Sequence, residues 1–362
     1  MSSVAPLAVR TLRRPVHAPK LALLGTGTVG SAFVARYESL QRRQLKLPRF
    51  AWLANSRLAL SCEPLPVQAL QQVRQAQARE PSSLQPWAET EGLREGDLLV
   101  DATASDAVAN WHAEWLSRGV HVVTANKLGN GAQLARAQAI AEARHASGAY
   151  YGDSATVGAG LPLLGSIRAL AAGGDHIHSV EGVLSGSLAW LFHRFDGTRA
   201  FSECVREAAA SGYTEPDPRL DLSGEDVRRK LLILARAAGF ALEAEQVRVE
   251  SLVPAELASV ALRDLDAALP LLDGPLAERL QAARAHGRRL RFVGRFDSDG
   301  ATVSLRELEP DHPLCGGSGT DNRVAIGSDR YRQQPLLIQG PGAGAEVTAA
   351  ALLDDVLRIT AG

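Results

Sequence analysis

The sequence carries little excess charge, few cysteines and no long uncharged apolar run, and each shortage excludes a class of function. Its 39 Lys and Arg residues against 40 Asp and Glu leave a formal net charge of -1. No global electrostatic pull toward nucleic acid or an anionic membrane follows from that balance. The three cysteines, Cys62, Cys204 and Cys315, are far apart and form neither a CxxC nor a Cys/His zinc pattern. Free thiols in a reducing, cytoplasmic compartment are therefore expected. No uncharged apolar stretch approaches the roughly 20 residues a membrane helix needs. Acid is missing from Met1 to Lys20, whose basic residues are Arg10, Arg13, Arg14, His17 and Lys20. Some organellar transit peptides share that composition, but a short disordered tail is the simpler account, and without an apolar core it is no secretory signal.

What is present is an ordinary globular composition, 46% hydrophobic and 22% charged, over 362 residues. That length exceeds what one compact core usually serves, so two domains are expected. Leu21 to Leu24, Phe50 to Ala54, Asp97 to Thr103 and Val120 to Thr124 read as buried strands, with helices at Ser31 to Arg43 and Ala107 to Arg118. Alternating strand and helix predicts a parallel sheet covered on both faces. Glu63 to Glu95, rich in Gln, Pro and Ser, resists this reading and suits helix plus surface loop. Beyond Gly158 the grammar changes to a helix over Leu161 to Ala172, a strand over Val180 to Leu184, and hairpin partners at Arg291 to Phe296 and Thr302 to Glu307. Pro335 to Ile338 and Ala345 to Ile359 then return to strand, glycine turn and helix. The expected fold class is α/β, a dinucleotide-binding parallel-sheet domain over 18–155 plus an α+β catalytic and dimerisation domain over 156–334, with 335–362 rejoining the first.

Gly25-Thr26-Gly27-Thr28-Val29-Gly30 is a GxGxxG between a strand and a helix. Gly25 allows the tight turn, Gly27 lets backbone approach a pyrophosphate, and Gly30 lets helix and strand pack closely, the Rossmann fingerprint. The helix start offers unpaired N–H groups to phosphate. About 20 to 25 residues on, NAD enzymes favour an acid for the ribose 2′-OH. Asn55-Ser56-Arg57 stands there, and no carboxylate precedes Glu63. Arg57 with two small polar residues suits a 2′-phosphate, so NADP(H) is favoured and NAD(H) is the alternative; a solvated loop charge is the bland account of Arg57. Asp101 to Ser105 ends a strand where open α/β sheets place ligands. Thr103 is a candidate cofactor contact there, while Asp101 has an equal claim as a helix cap.

Lys127, in Thr124-Ala125-Asn126-Lys127, follows a buried strand and is a candidate for charge stabilisation or proton transfer. The densest polar constellation runs from Gly212 to Lys230. Ser223 is a plausible N-cap there, with Asp226 completing a loose capping box. On the following helix Val227, Leu231, Leu234 and Ala238 make the core stripe, and Lys230 and Asp226 lie side by side at its margin. A lysine at that margin is partly desolvated and oriented by the aspartate, a setting suited to acid–base work. The bland account is an exposed i,i+4 pair worth about 0.3–0.5 kcal/mol.

Several segments resemble the homoserine dehydrogenase family and fall in its order: TANK, TVGAGLP (Thr156 to Pro162), GVLSGS (Gly182 to Ser187), GYTEPDPRLDLSGEDVRRKLLILAR (Gly212 to Arg236) and QGPGAGAEVTAAALLDD (Gln339 to Asp355). The likeness runs from about Lys20 onward, and DHPL (Asp311 to Leu314) with PLLIQGPGAG is similar to the dehydrogenase half of bacterial bifunctional aspartokinase–homoserine dehydrogenases. The resemblance implies Lys230 as proton donor and acceptor at the substrate oxygen, Lys127 between cofactor and substrate, and Glu215 on the homoserine amino group. It further implies Asp221 and Asp226 around substrate and lysine, Gly340 in a turn at the cofactor, and a homodimer built through the central sheet. Two departures stand out. Leu220 replaces a second acid before Asp221, and Ser154 stands where members carry an acid for a monovalent cation, with Asp153 one residue earlier. A sodium site around Val157, Ala159 and Leu161 is thereby weakened. The implied activity is NADPH-dependent reversible reduction of L-aspartate 4-semialdehyde to L-homoserine, in threonine and methionine biosynthesis. A catalytically silent NADP-binding sensor is the rival from another class; it needs the glycine loop but not Glu215, Asp226, Lys127 and Lys230 together. An aldehyde-oxidising semialdehyde dehydrogenase needs a histidine-activated cysteine, and no cysteine here has such a setting.

Overall fold

The computed structural model describes residues 18–62, 65–76 and 92–361. The tail before Ala18, and residues 63–64 and 77–91 of the Gln-, Pro- and Ser-rich stretch, lie outside the described residues. Pro66–Gln75 of that stretch is a helix with proline at its first position, where a missing N–H costs nothing.

The described strands form two six-stranded sheets. In the first, β1 (Lys20–Leu24), β2 (Arg49–Ala54), β3 (Ala59–Ser61), β4 (Leu98–Asp101), β5 (His121–Thr124) and β6 (Tyr151–Gly152) lie in the order β3-β2-β1-β4-β5-β6. All neighbours are parallel except the β2–β3 hairpin. Leu21 and Leu23 enter one buried cluster and Ala22 and Leu24 another, on opposite faces of β1. Covering both faces makes the strand a continuous apolar run rather than an alternating one. Strand order reverses between β1 and β4, so a ligand crevice opens outside their carboxyl ends.

The second sheet holds β7 (Ile177–Val183), β8 (Val247–Val249), β9 (Arg289–Asp297), β10 (Gly300–Leu308), β11 (Asp321–Ser328) and β12 (Leu336–Pro341), in the order β12-β11-β7-β9-β10-β8. It is antiparallel apart from the β8–β10 pair. The helix Glu225–Ala237 packs on β9 and on the helix Leu163–Ala172. Val227, Leu231 and Leu234 of its stripe are fully buried.

Four expected boundaries moved, each for a local reason. The first helix begins at Thr28, directly on the glycine turn. The helix expected from Leu161 begins at Leu163, because Leu161 donates its N–H to Gly158 in a turn. The Ala107 to Arg118 helix is two, Asp106–Asn110 and His112–Ser117, divided where Trp111 N–H bonds Val108 one residue short of α-register. The Pro335 to Ile338 strand is β12 and pairs with β11, so it belongs to the second sheet. Only the last helix, Ala345–Ala361, returns to the first, where it packs on Thr28–Arg42. Among the described residues no helix is long and apolar enough to cross a membrane.

Candidate active site

The glycine turn is shaped by what its residues lack. Gly25 has φ +99°, and a Cβ there would lie 2.7 Å from the Ala102 carbonyl. A Cβ on Gly30 would lie 1.9 Å from the Gly25 carbonyl, while one on Gly27 meets nothing within 4 Å. The surface over Gly27 is open, as close approach by a dinucleotide requires. Thr28 and Val29 start the helix with no side-chain cap from Gly27, so its first N–H groups face the turn. Thr26 is buried and its hydroxyl accepts from Asn55 Nδ2 at 3.3 Å. Asn55 also accepts from the N–H groups of Arg57 and Leu58, closing the turn after β2. Its side chain is thus spent on Thr26 and on backbone, and the exposed Arg57 guanidinium donates to the Arg74 carbonyl at 3.4 Å, its one hydrogen bond among the described residues. Arg74, also exposed, brings a second cation to that rim.

Strands β4 and β5 end side by side in a buried polar knot. Asp101 is no helix cap: it is fully buried and takes Thr103 N–H at 2.8 Å, Asn126 Nδ2 at 3.0 Å and His112 Nε2 at 2.9 Å. His112 Nδ1 meets the Tyr151 hydroxyl at 3.0 Å. Ser105 caps the next helix instead. Thr103 Oγ1 is half-buried and accepts from Ser105 N–H and Asn126 Nδ2. Asn126 therefore ties the ends of both strands together, immediately before Lys127.

The loop after Lys127 is docked along the helix Glu225–Ala237. Arg236 donates to the Asn130 carbonyl at 2.6 Å, and Gly131 is small because a Cβ would lie 2.9 Å from the Arg229 carbonyl. That docking brings Lys127 Nζ to 3.5 Å from Asp226 Oδ1, while Lys230 Nζ lies 2.8 Å from Asp226 Oδ2. Lys230 also donates to the Leu184 carbonyl at 2.8 Å, and its side chain is only 10% exposed. An exposed i,i+4 pair is thereby excluded. Removing an ammonium from water costs several kcal/mol unless matched partners replace the water. Burial opposes ionisation of Asp226, but the adjacent Lys230 and Lys127 ammoniums outweigh it and hold the carboxyl well below the usual carboxylate range. The expected capping box does not form: Gly224, with φ +79°, occupies the N-cap, and Asp226 turns to the lysines instead.

Asp221 and Glu215 stand beside this group. Asp221 accepts from Ser187 Oγ at 2.7 Å and from the Glu215 N–H at 2.9 Å. Ser187 in turn meets Ser185 Oγ at 2.8 Å, one residue from the Leu184 carbonyl that holds Lys230. The Glu215 carboxylate is on an exposed residue. Segment Leu184 to Ser187 thus joins the lysine to the acidic loop. Its part escaped residue-type reasoning because a backbone carbonyl has no sequence signature.

The proposed cation loop is less suited to its task. Asp153 is fully buried and makes two bonds to Arg168, at 2.6 and 2.7 Å, and one to Asn130. Ser154 bonds Asp355, and the Leu161 carbonyl accepts from Leu163 N–H. Ser154, not an acid, stands where the resemblance calls for the cation's carboxylate beside Val157 and Ala159. Gly340, with φ +154°, lies against Leu161 Cδ2, bringing the C-terminal glycine turn to this loop.

Comparison with known proteins decides the family. A homoserine dehydrogenase model matches residues 162–357, and the NAD-binding domain model of homoserine dehydrogenase matches residues 25–152. The homoserine dehydrogenase of Schizosaccharomyces pombe is 40% identical over 271 residues, covering 72% of each chain. The chain belongs to the homoserine dehydrogenase family. Bifunctional aspartokinase/homoserine dehydrogenase 2 of Zea mays is 46% identical over 265 residues, 72% of this chain, which spans only 29% of that protein. A structure titled putative homoserine dehydrogenase from Archaeoglobus fulgidus matches with a TM-score of 0.77 at 26% identity, covering 95% of this chain and 100% of that one.

Proposed function

We propose that the chain interconverts L-aspartate 4-semialdehyde and L-homoserine with NADP(H), serving threonine and methionine biosynthesis. The observation that carries this reading is the pinned ammonium of Lys230. An ammonium has three N–H donors, and Leu184 and Asp226 take two of them. The third serves the substrate oxygen: it polarises the aldehyde and passes a proton to the alkoxide as it forms. A positive charge aimed where negative charge develops stabilises the transition state more than the ground state. Asp226 fixes the direction of that ammonium, and Lys127 adds charge from the cofactor side. Glu215 takes the amino group of the substrate, and Asp221 holds the Glu215 backbone through its N–H.

The dinucleotide fits the residues present: open backbone at Gly27, the uncapped helix start at Thr28 and Val29, Thr103 just beyond β4, and Gly340 beside Leu161. When bound, it supplies the hydride. NADP(H) is favoured over NAD(H) because the end of β2 offers the Arg57 cation and no carboxylate. No cation-dependent step is proposed, since Asp153 is committed to Arg168. Burial pushes the Cys62 thiol up to about 12 and raises Cys204 and Cys315 as well, so a thiohemiacetal route lacks a ready thiolate. A homodimer through the second sheet is part of the proposal, and its mass in solution tests it. The deciding assay follows NADPH oxidation with aspartate semialdehyde, then NADH in its place. Turnover with NADPH at the higher kcat/KM supports the reading. Binding of NADPH with no turnover favours a silent sensor.

A further inference from the structure

Asn322 is 1% exposed and sits in β11, where its backbone pairs with Gly340 of β12. Its Nδ2 donates to the Val183 carbonyl at 3.1 Å. Its Oδ1 is buried and has no hydrogen-bond partner among the described residues. The orientation of the amide is fixed by chemistry, because a carbonyl only accepts and Val183 therefore demands the NH₂ side. Oδ1 is left facing Gly342, where a Cβ would lie 1.4 Å from it. Buried acceptors are normally paired, so an unpaired one needs an explanation.

Its surroundings supply one. Val183 immediately precedes Leu184, whose carbonyl holds Lys230. Gly342 is in the middle of the turn Gly340 to Gly344, at whose two ends φ is +154° and +127°. One side chain thus touches both the strand end that sets the lysine and the turn assigned to the cofactor. Glycines at both ends let the turn swing with little steric cost. We propose that Asn322 is a positioning residue coupling cofactor binding to the setting of Lys230. When the dinucleotide seats, a backbone N–H within Gly342 to Gly344 closes onto Asn322 Oδ1. Through Nδ2 the same amide then holds the Val183–Leu184 carbonyls in register with the ammonium. The inference rests on the proposed dehydrogenase reading.

Hydrogen exchange of the full chain, with and without NADPH, tests it by a readout other than turnover. In the wild type, amides in the 340–346 segment should exchange about tenfold more slowly with NADPH, the scale of one net backbone hydrogen bond. Asn322→Leu should abolish that slowing and lower kcat more than it raises the semialdehyde KM. Asn322→Asp keeps an acceptor for the turn but loses the donor to Val183, so slowing should persist while kcat stays low. Equal slowing in wild type and Asn322→Leu, or none in a wild type that binds NADPH, overturns the coupling. If Asn322→Leu does not fold, Asn322→Ser, too short to reach both partners, is read in the same way. A wild type that binds no NADPH at all overturns the functional reading beneath it.

Discussion

The two ends of the crevice are built by opposite means. At the cofactor end, side chains are withheld: Gly25 and Gly30 leave room for neighbouring carbonyls, and Gly27 leaves a bare surface. At the chemical end, charge is packed in and pinned, with Lys230 held by Leu184 and Asp226 and Lys127 on the other carboxylate oxygen. Shape binds and charge reacts, so damage at each end should register in different constants. The largest effect is expected at the chemical end. Lys230→Ala should lower kcat about 10³-fold, as loss of a general acid that also faces an oxyanion does, with the NADPH dissociation constant kept within a few-fold. Near-normal turnover would remove the lysine from its role. Lys127, 36% exposed and with a longer contact to Asp226, should matter less. Lys127→Ala is expected to cost about tenfold in kcat, less at high salt than at low because salt already screens an exposed charge in the wild type; steady-state rates at two ionic strengths measure it.

At the cofactor end the glycines can be separated from one another. Gly30→Ala sets a Cβ 1.9 Å from the Gly25 carbonyl, and such overpacking costs roughly 1–3 kcal/mol. Its Tm should fall with or without NADPH. Gly27 has φ -72° and open space, so Gly27→Ala should leave the Tm of the free chain unchanged and weaken NADPH binding about tenfold, as lost backbone contact to phosphate does. Calorimetric melting and titration read the two constants independently. Unchanged NADPH affinity in Gly27→Ala would move the pyrophosphate off this turn.

Legibility in the sequence followed the same division. The parallel sheet and the glycine turn were readable because local rules dictate them: apolar runs bounded by glycine, and glycines at fixed offsets. The pairing of Lys230 with Asp226 was readable from helical spacing. What closed the site was not. Leu184 contributes a carbonyl, Ser187 reaches Asp221 over 34 positions, and Asn126 and His112 meet on Asp101. Such contacts depend on which strands lie side by side, and no local period encodes that. Capping failed as a guide at Ser223 for a related reason. Locally Asp226 was free to cap, but in the fold two ammoniums offer it stronger partners than one N–H.

The smallest effect concerns the rim where cofactors are told apart. Among the described residues the exposed Arg57 side chain bonds only the Arg74 carbonyl, so its removal leaves no described buried group unpaired and should not change stability. Its charge is worth something only against a phosphate. Arg57→Ala should therefore raise the KM for NADPH several-fold, on the order of the 1 kcal/mol that a solvated ion pair provides. The KM for NADH should stay where it was, narrowing the preference without abolishing activity. Salt should erode the wild-type preference in the same direction. Equal effects of Arg57→Ala on the two cofactors would assign the residue to the loop rather than the 2′-phosphate. The second cation at this rim, Arg74, would then be the one to replace.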